Sequence, residues 1–124
     1  MAQPGNTGFR RVVNATLYSF AGLRSAWQTE AAFRQECVAV VILMPVAAWL
    51  GQSAVQRALL VSSCVLVLIV ELLNTAVEFV VDRVGTDHNE LSGRAKDLGS
   101  AAVFTSIALG VFVWALIAWE RFGA

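Results

Sequence analysis

The chain has 124 residues, of which 57% are hydrophobic and only 15% charged, and its mean hydropathy is +0.65. A soluble globule of this size has much surface and little interior and carries roughly 25% charged residues, so an ordinary soluble enzyme and a disordered chain are both excluded. Nine basic residues balance nine acidic ones and the pI is near 6.6, which argues against a nucleic-acid binder. What remains is a small all-α polytopic membrane protein.

In chain order, Asn6, Thr7 and Gly8 read as a loop leading into a helix start. Phe9, Val13, Leu17, Phe20, Leu23 and Trp27 then recur at helical spacing. This predicts an amphipathic helix over residues 8–28, lying in the membrane interface with Arg10, Arg11 and Arg24 near anionic headgroups. The alternative is a helix packed on protein. Asn14, Thr16, Tyr18 and Ser19 interrupt the apolar run, so this segment does not read as a signal peptide. Residues 37–56, 58–70 and 98–119 hold no charge. A transmembrane helix needs about 20 mostly apolar residues, which predicts three spans, over about 31–51, 54–81 and 98–119. The first begins on Ala31, Ala32 and Phe33, with Arg34 snorkelling to the interface. Pro45 marks a potential kink. Cys37 and Cys64 lack metal-ligand spacing and read as small buried hydrophobes. Ala102, Ser106 and Gly110 form a small-residue face for close helix packing, within or between subunits. The tryptophans Trp27, Trp49, Trp114 and Trp119 read as interface anchors or packing residues.

Three spans put the two termini on opposite sides of the membrane. Arg10, Arg11, Arg24 and Arg34 lie before the first span or at its entry, and Arg83, Arg94 and Lys96 lie between the second and third; the other two exposed stretches carry Arg57 and Arg121 alone. The positive-inside rule places the N-terminus and the 82–97 linker in the cytoplasm and the C-terminus outside.

The second span carries Glu71, Asn74, Glu78 and Asp82. On a helix these fall within about 80° of one another, on a single stripe. An acid inside a span costs at least ~2.5–3.5 kcal/mol and points to function by default. Glu71 lies about 21 Å along the helix from Arg57 at ~1.5 Å per residue. The stripe therefore runs from the cytoplasmic third of the bilayer out into the cytoplasm. Polar glue between helices accounts for Asn74 but poorly for two carboxylates on one face. Glu30, Glu36 and Asp97 are predicted at the same interface. Hard oxygen donors collected there suit Mg²⁺, which takes one or two carboxylates plus substrate phosphates. Arg11, Arg94 and Lys96 supply positive charge suited to those phosphates. No P-loop or kinase glycine-rich loop is present.

Glu71-Leu72-Leu73-Asn74-Thr75-Ala76-Val77-Glu78-Phe79-Val80-Val81-Asp82-Arg83 resembles the signature of the bacterial integral-membrane diacylglycerol kinases. Glu90-Leu91-Ser92-Gly93-Arg94-Ala95-Lys96-Asp97 and Glu30-Ala31-Ala32-Phe33-Arg34-Gln35-Glu36 match two further motifs of that family, and the likeness extends from Gly8 to Trp119. The resemblance implies a homotrimer of three-span subunits, each with an N-terminal surface helix, in the bacterial inner membrane. It implies ATP-dependent phosphorylation of diacylglycerol to phosphatidic acid with Mg²⁺, at a composite site between neighbouring subunits. By the same resemblance Glu71 is the general base, Asn74 and Lys96 are its catalytic companions, and Glu30 and Glu78 are metal ligands. Arg11, Tyr18, Glu30, Glu78, Asp87, His88, Asn89, Lys96 and Asp97 are the implied nucleotide contacts. Arg11, Ser19, Trp27, Arg34, Glu36, Trp49, Glu71, Ser100 and Trp114 are the implied lipid-substrate contacts. Asn14 departs from members that carry Lys on the surface helix.

The chemistry fits the placement. Phosphoryl transfer is mostly positioning and charge stabilisation. A diacylglycerol presents an uncharged hydroxyl near the depth of Glu71, while ATP stays in the cytoplasm, so one helical face leads from lipid hydroxyl to nucleotide phosphate. A kinase of the same fold acting on undecaprenol or another lipid alcohol shares these motifs. A small cation-coupled transporter with Glu71 as carrier carboxylate is the alternative of a different class, and a non-enzymatic membrane assembly subunit is a third.

Overall fold

A computed structural model describes residues 7–123, so Asn6 of the expected entry loop lies outside the described residues. Four helices follow in order: α1 (Gly8–Thr29), α2 (Ala31–Leu50), α3 (Ala54–Val84) and α4 (Glu90–Phe122). The last three are long and apolar enough to cross a membrane.

Each helix end has a local cause. Glu30 adopts an extended backbone (φ −119°, ψ 107°) and separates α1 from α2 by one residue. Arg34 Nη1 donates to the Trp27 carbonyl at 2.7 Å, so an arginine side chain bridges that break. α2 runs through Pro45 as one helix. Gly51 ends it where α3 turns back tightly: a Cβ there would stand 2.5 Å from Arg57 Cγ and 3.1 Å from the Arg57 amide nitrogen. The Ser53 side chain then accepts from the Gln56 amide, a conventional N-cap. Asn89 caps α4 in the same way, accepting from the Leu91 and Ser92 amides.

The helices reach well past the apolar spans. α3 continues to Val84, and α4 begins at Glu90, ahead of the uncharged run that opens at position 98. The polar stretch between the last two spans is thus mostly helical, with residues 85–89 as its only turn. Two facing helices carrying Asp82 and Lys96 past the hydrocarbon hold those groups more rigidly than a loop would.

α3 and α4 form an antiparallel pair whose register can be read from its contacts. Lys96 meets Asp82, Gly99 meets Asn74, Gly110 approaches the Ser63 carbonyl, Trp114 Nε1 donates to the Leu60 carbonyl at 3.2 Å, and Gln56 donates to Glu120. Part of the small-residue face of α4 packs within the subunit: Ser106 is buried and Gly110 faces Ser63, whereas Ala102 is exposed. The apolar core sits at the end remote from the acids, in Ala47, Leu50, Leu60 and Ile117, with Trp114 packed against it. Arg121 closes that end, donating to the Trp49 and Leu50 carbonyls at 2.7 and 3.2 Å with its guanidinium 4.8 Å from the Trp49 ring centroid. Cys64 is buried there, whereas Cys37 is only half-buried in the subunit, against the expectation for both.

α1 packs chiefly through Ala26, and Phe9, Leu17, Phe20 and Trp27 stay exposed. An unpartnered apolar flank beside Arg10, Arg11 and Arg24 is the pattern of a helix lying on a membrane surface. The outer flanks of α2, α3 and α4 are likewise apolar and exposed, including Val41, Leu73, Phe104 and Phe112. In water such surface would aggregate; in a bilayer it faces lipid or another apolar helix.

Candidate active site

The acidic stripe occupies the half of α3 away from the apolar core. Glu71 is 5% exposed, and Thr75, one turn on, is 6% exposed. Asn74 and Glu78 are half-buried on the same stripe, and Asn74 Nδ2 lies 3.4 Å from Glu78 Oε1 as a long hydrogen bond. Asn74 Oδ1 is buried with no hydrogen-bond partner among the described residues. Gly99 of α4 explains the fit, since a Cβ there would collide with that amide oxygen. Glycine is required at this point by close approach and not by backbone conformation.

The other carboxylates come from α2. Glu30, at the α1–α2 break, and Glu36, on the second turn of α2, both lie within electrostatic reach of Glu71, as does Glu78. Glu36 Oε1 is buried and has no hydrogen-bond partner among the described residues. Like charges gathered in a medium of low dielectric repel strongly, so the cluster invites a proton, a cation or a hydrogen-bond donor. Among the described residues no three His, Cys, Asp or Glu side chains converge closely enough to hold an ion by themselves. Mg²⁺ does not need three, because it keeps several waters and completes its shell with phosphate oxygens. Glu30 and Glu78 are hard oxygen donors of the right kind for that arrangement.

A polar recess lies just beyond the stripe, lined by Asp82, Asp87, His88, Asn89, Ser92 and Lys96. Lys96 Nζ pairs with Asp82 Oδ1 at 2.8 Å across the α3–α4 interface. The neighbouring pair Arg94–Glu90, at 2.7 Å, is an exposed i,i+4 bridge of little energetic weight. Asp87 and His88 are exposed on the turn, and the side-chain oxygen of Asn89 is engaged in capping α4. Asp97 and Ser100 are exposed on the following turns of α4.

The remaining expected site residues are distributed along the subunit. Ser19 lines a shallow groove between α1 and α3 with Leu72 and Thr75, while its hydroxyl donates to the Ala15 carbonyl. Arg11 and Tyr18 are exposed on α1. Trp27 and Arg34 meet at the α1–α2 break. Trp49 stands at the far end of α2, about 20 Å from Glu36 at ~1.5 Å per residue, in the Arg121 clasp. Trp114 is deep between α3 and α4. Within one subunit, then, the fold gathers Glu30, Glu36, Glu71, Asn74 and Glu78, and separately Asp82, Asp87, His88, Asn89 and Lys96; it does not bring Trp49 to either group. Helical spacing puts Asp82 on the stripe but does not pair it with Lys96. The role of Gly99 is not evident from spacing either, although a glycine two turns into a long helix and level with a polar stripe is a signal of close approach.

Comparison with known proteins identifies the family. The model of the family described as prokaryotic diacylglycerol kinase matches residues 17–118. The chain is 55% identical over 117 residues to a diacylglycerol kinase of Escherichia coli strain K12, covering 94% of this chain and 96% of the relative. It is 50% identical over 108 residues to that of Haemophilus influenzae, covering 87% and 92% respectively. It is also 50% identical over 113 residues to that of Pseudomonas aeruginosa, covering 91% and 92%.

Proposed function

Because the chain belongs to the prokaryotic diacylglycerol kinase family, and is by that membership a lipid kinase, we propose that the buried Glu71 is the base that readies the lipid hydroxyl for phosphoryl transfer from ATP. The single observation that carries this reading is a carboxylate only 5% exposed on a stripe that leads to a polar recess containing Lys96. Diacylglycerol enters laterally from the bilayer, and its hydroxyl reaches Glu71. The carboxylate takes the hydroxyl proton as the oxygen bonds to the γ-phosphorus. The bond from that phosphorus to the bridging oxygen of ADP breaks, giving phosphatidic acid and ADP. A positioned general base contributes about 10²–10⁴-fold to such a step.

Asn74 fixes Glu78 through its amide nitrogen, and its buried oxygen, against Gly99, has no hydrogen-bond partner among the described residues. Lys96 exchanges its Asp82 partner for nucleotide phosphate, and Asp87, His88 and Asp97 border the nucleotide. Glu30 and Glu78 are the residues suited to Mg²⁺, which when bound supplies charge neutralisation on the phosphate oxygens. Arg11, Tyr18 and Ser19 on the surface helix, with Arg34 and Glu36, flank the approach of the lipid headgroup. The setting is the bacterial inner membrane, with α1 and the 85–89 turn cytoplasmic and the C-terminus outside, and the working form is a homotrimer. The apolar flanks of α2–α4 supply surface for both lipid and neighbouring copies.

The test is purified protein in mixed micelles with labelled ATP and a panel of lipid alcohols. The expected product is labelled phosphatidic acid. A clear preference for undecaprenol would reassign the substrate. Ion flux in sealed vesicles without ATP, and no labelled lipid, would overturn the kinase reading.

A further inference from the structure

Lys96 is the only lysine in the chain, and it stands where α3 and α4 emerge from the apolar span. Its Nζ lies 2.8 Å from Asp82 Oδ1, and Glu78, one turn before Asp82 on α3, is within electrostatic reach of the same ammonium. Both partners are about half exposed, 45% for Lys96 and 51% for Asp82. Water reaches the pair, and packing locks neither side chain. Asp82, Asp87 and Lys96 share the wall of a polar recess of about 460 Å³. Two carboxylates there face one ammonium, and the nearby Arg94 is tied to Glu90. An anion entering the recess therefore draws on Lys96 only by taking it from Asp82.

We infer that Asp82 is a positioning residue that competes with nucleotide phosphates for Lys96, and so sets how tightly ATP and ADP are held. The inference rests on the kinase reading above and adds to it a residue that acts through Lys96 without touching the reacting atoms. A carboxylate oxygen and a phosphate oxygen each accept a charge-assisted bond from an ammonium, so the two acceptors exchange without loss of a hydrogen bond. The exchange serves both ends of the cycle. Incoming phosphate displaces Asp82, and recapture of Lys96 by Asp82 after transfer weakens the hold on ADP. The tether also keeps the ammonium off Glu78, which leaves that carboxylate to a metal.

Two measurements test it on the full-length protein in mixed micelles. The first is the equilibrium dissociation constant, with Mg²⁺ present, of a non-hydrolysable ATP analogue and of ADP. A half-exposed ion pair contributes a factor of up to about five in an equilibrium. Asp82→Asn is therefore expected to bind both nucleotides about two- to fivefold more tightly, whereas loss of a merely structural bond between α3 and α4 would not tighten binding. In a Lys96→Gln background the same substitution is expected to change neither constant. Parental or weaker binding in Asp82→Asn overturns the inference. Equal tightening in both backgrounds also overturns it, because Asp82 would then act as a repulsive charge without Lys96. The second measurement needs no nucleotide. With one lysine in the chain, a succinimidyl ester whose adduct is located by mass spectrometry reports on Lys96. Only the free amine acylates, and an ammonium tied to a carboxylate releases its proton less readily, so Asp82→Asn is expected to react severalfold faster at Lys96. An unchanged rate overturns the inference. A parent that binds neither nucleotide defeats the kinase reading instead, and is visible before any variant is made.

Discussion

Substituting Gly99 with alanine tests whether the α3–α4 register positions the reacting groups. The new methyl would land on Asn74 Oδ1, so the Asn74 side chain must turn away. Overpacking of this kind costs ~1–3 kcal/mol, whereas replacing a mid-helix glycine by alanine returns about 1 kcal/mol of helix stability. Net destabilisation is therefore small, and the consequence falls on geometry. The Asn74–Glu78 hydrogen bond is already long at 3.4 Å and does not survive a rotation of the amide. A misplacement of about 1 Å near reacting groups can cost ~100-fold, and each 1.4 kcal/mol is a factor of about ten in rate. The expected result is a fall in kcat of about 10–100-fold with Tm close to that of the parent, measured by labelled-phosphate transfer and thermal denaturation in the same micelles. The Asn74→Ala background isolates the cause, because with no amide to strike Gly99→Ala should cost nothing further, a coupling that a double-mutant cycle reads directly. Parental kcat in Gly99→Ala, or an equal loss in both backgrounds, would refute the reasoning.

Glu71→Gln is expected to reduce transfer by about 10²–10⁴-fold while leaving nucleotide binding largely intact; retained turnover would remove Glu71 as the base. Glu78→Gln should raise the Mg²⁺ concentration needed for half-maximal activity by about tenfold or more, and an unchanged Mg²⁺ dependence would argue against ligation. Arg121→Ala removes two bonds to the last carbonyls of α2 and the stacking on Trp49. A loss of ~1–3 kcal/mol of stability is expected from the unsatisfied carbonyls, read as a lower Tm; an unchanged Tm would show that the clasp adds nothing to stability.

Much of this molecule is legible without coordinates. The uncharged blocks identify the spans because hydrocarbon admits only helices with apolar flanks, and the 3.6-residue period alone puts Glu71, Asn74, Glu78 and Asp82 on one stripe. Glu30 and Glu36 are recognisable as partners because both stand at the start of the first span, at the depth of that stripe. Other features depend on which helices face each other. The polar stretch after the second span reads as a linker, yet it is carried by the extended ends of α3 and α4, since Asn89 caps a helix that starts before its apolar run. Lys96 belongs to Asp82 only because α3 and α4 are antiparallel in one particular register, and that same register brings Gly99 onto Asn74.

The sequence by itself determined membrane class, span number and the one-sided gathering of acids, because those follow from solvent and helical period, which act locally. Only the tertiary structure decided that Ser106 and Gly110 of the small face of α4 pack toward α3 while Ala102 stays exposed, and that Arg121 ties α4 to the end of α2 remote from the acids. Those outcomes depend on distances between side chains far apart in the chain, and the closeness allowed at Gly51, Gly99 and Gly110 is a property of pairs of helices that no single helix carries.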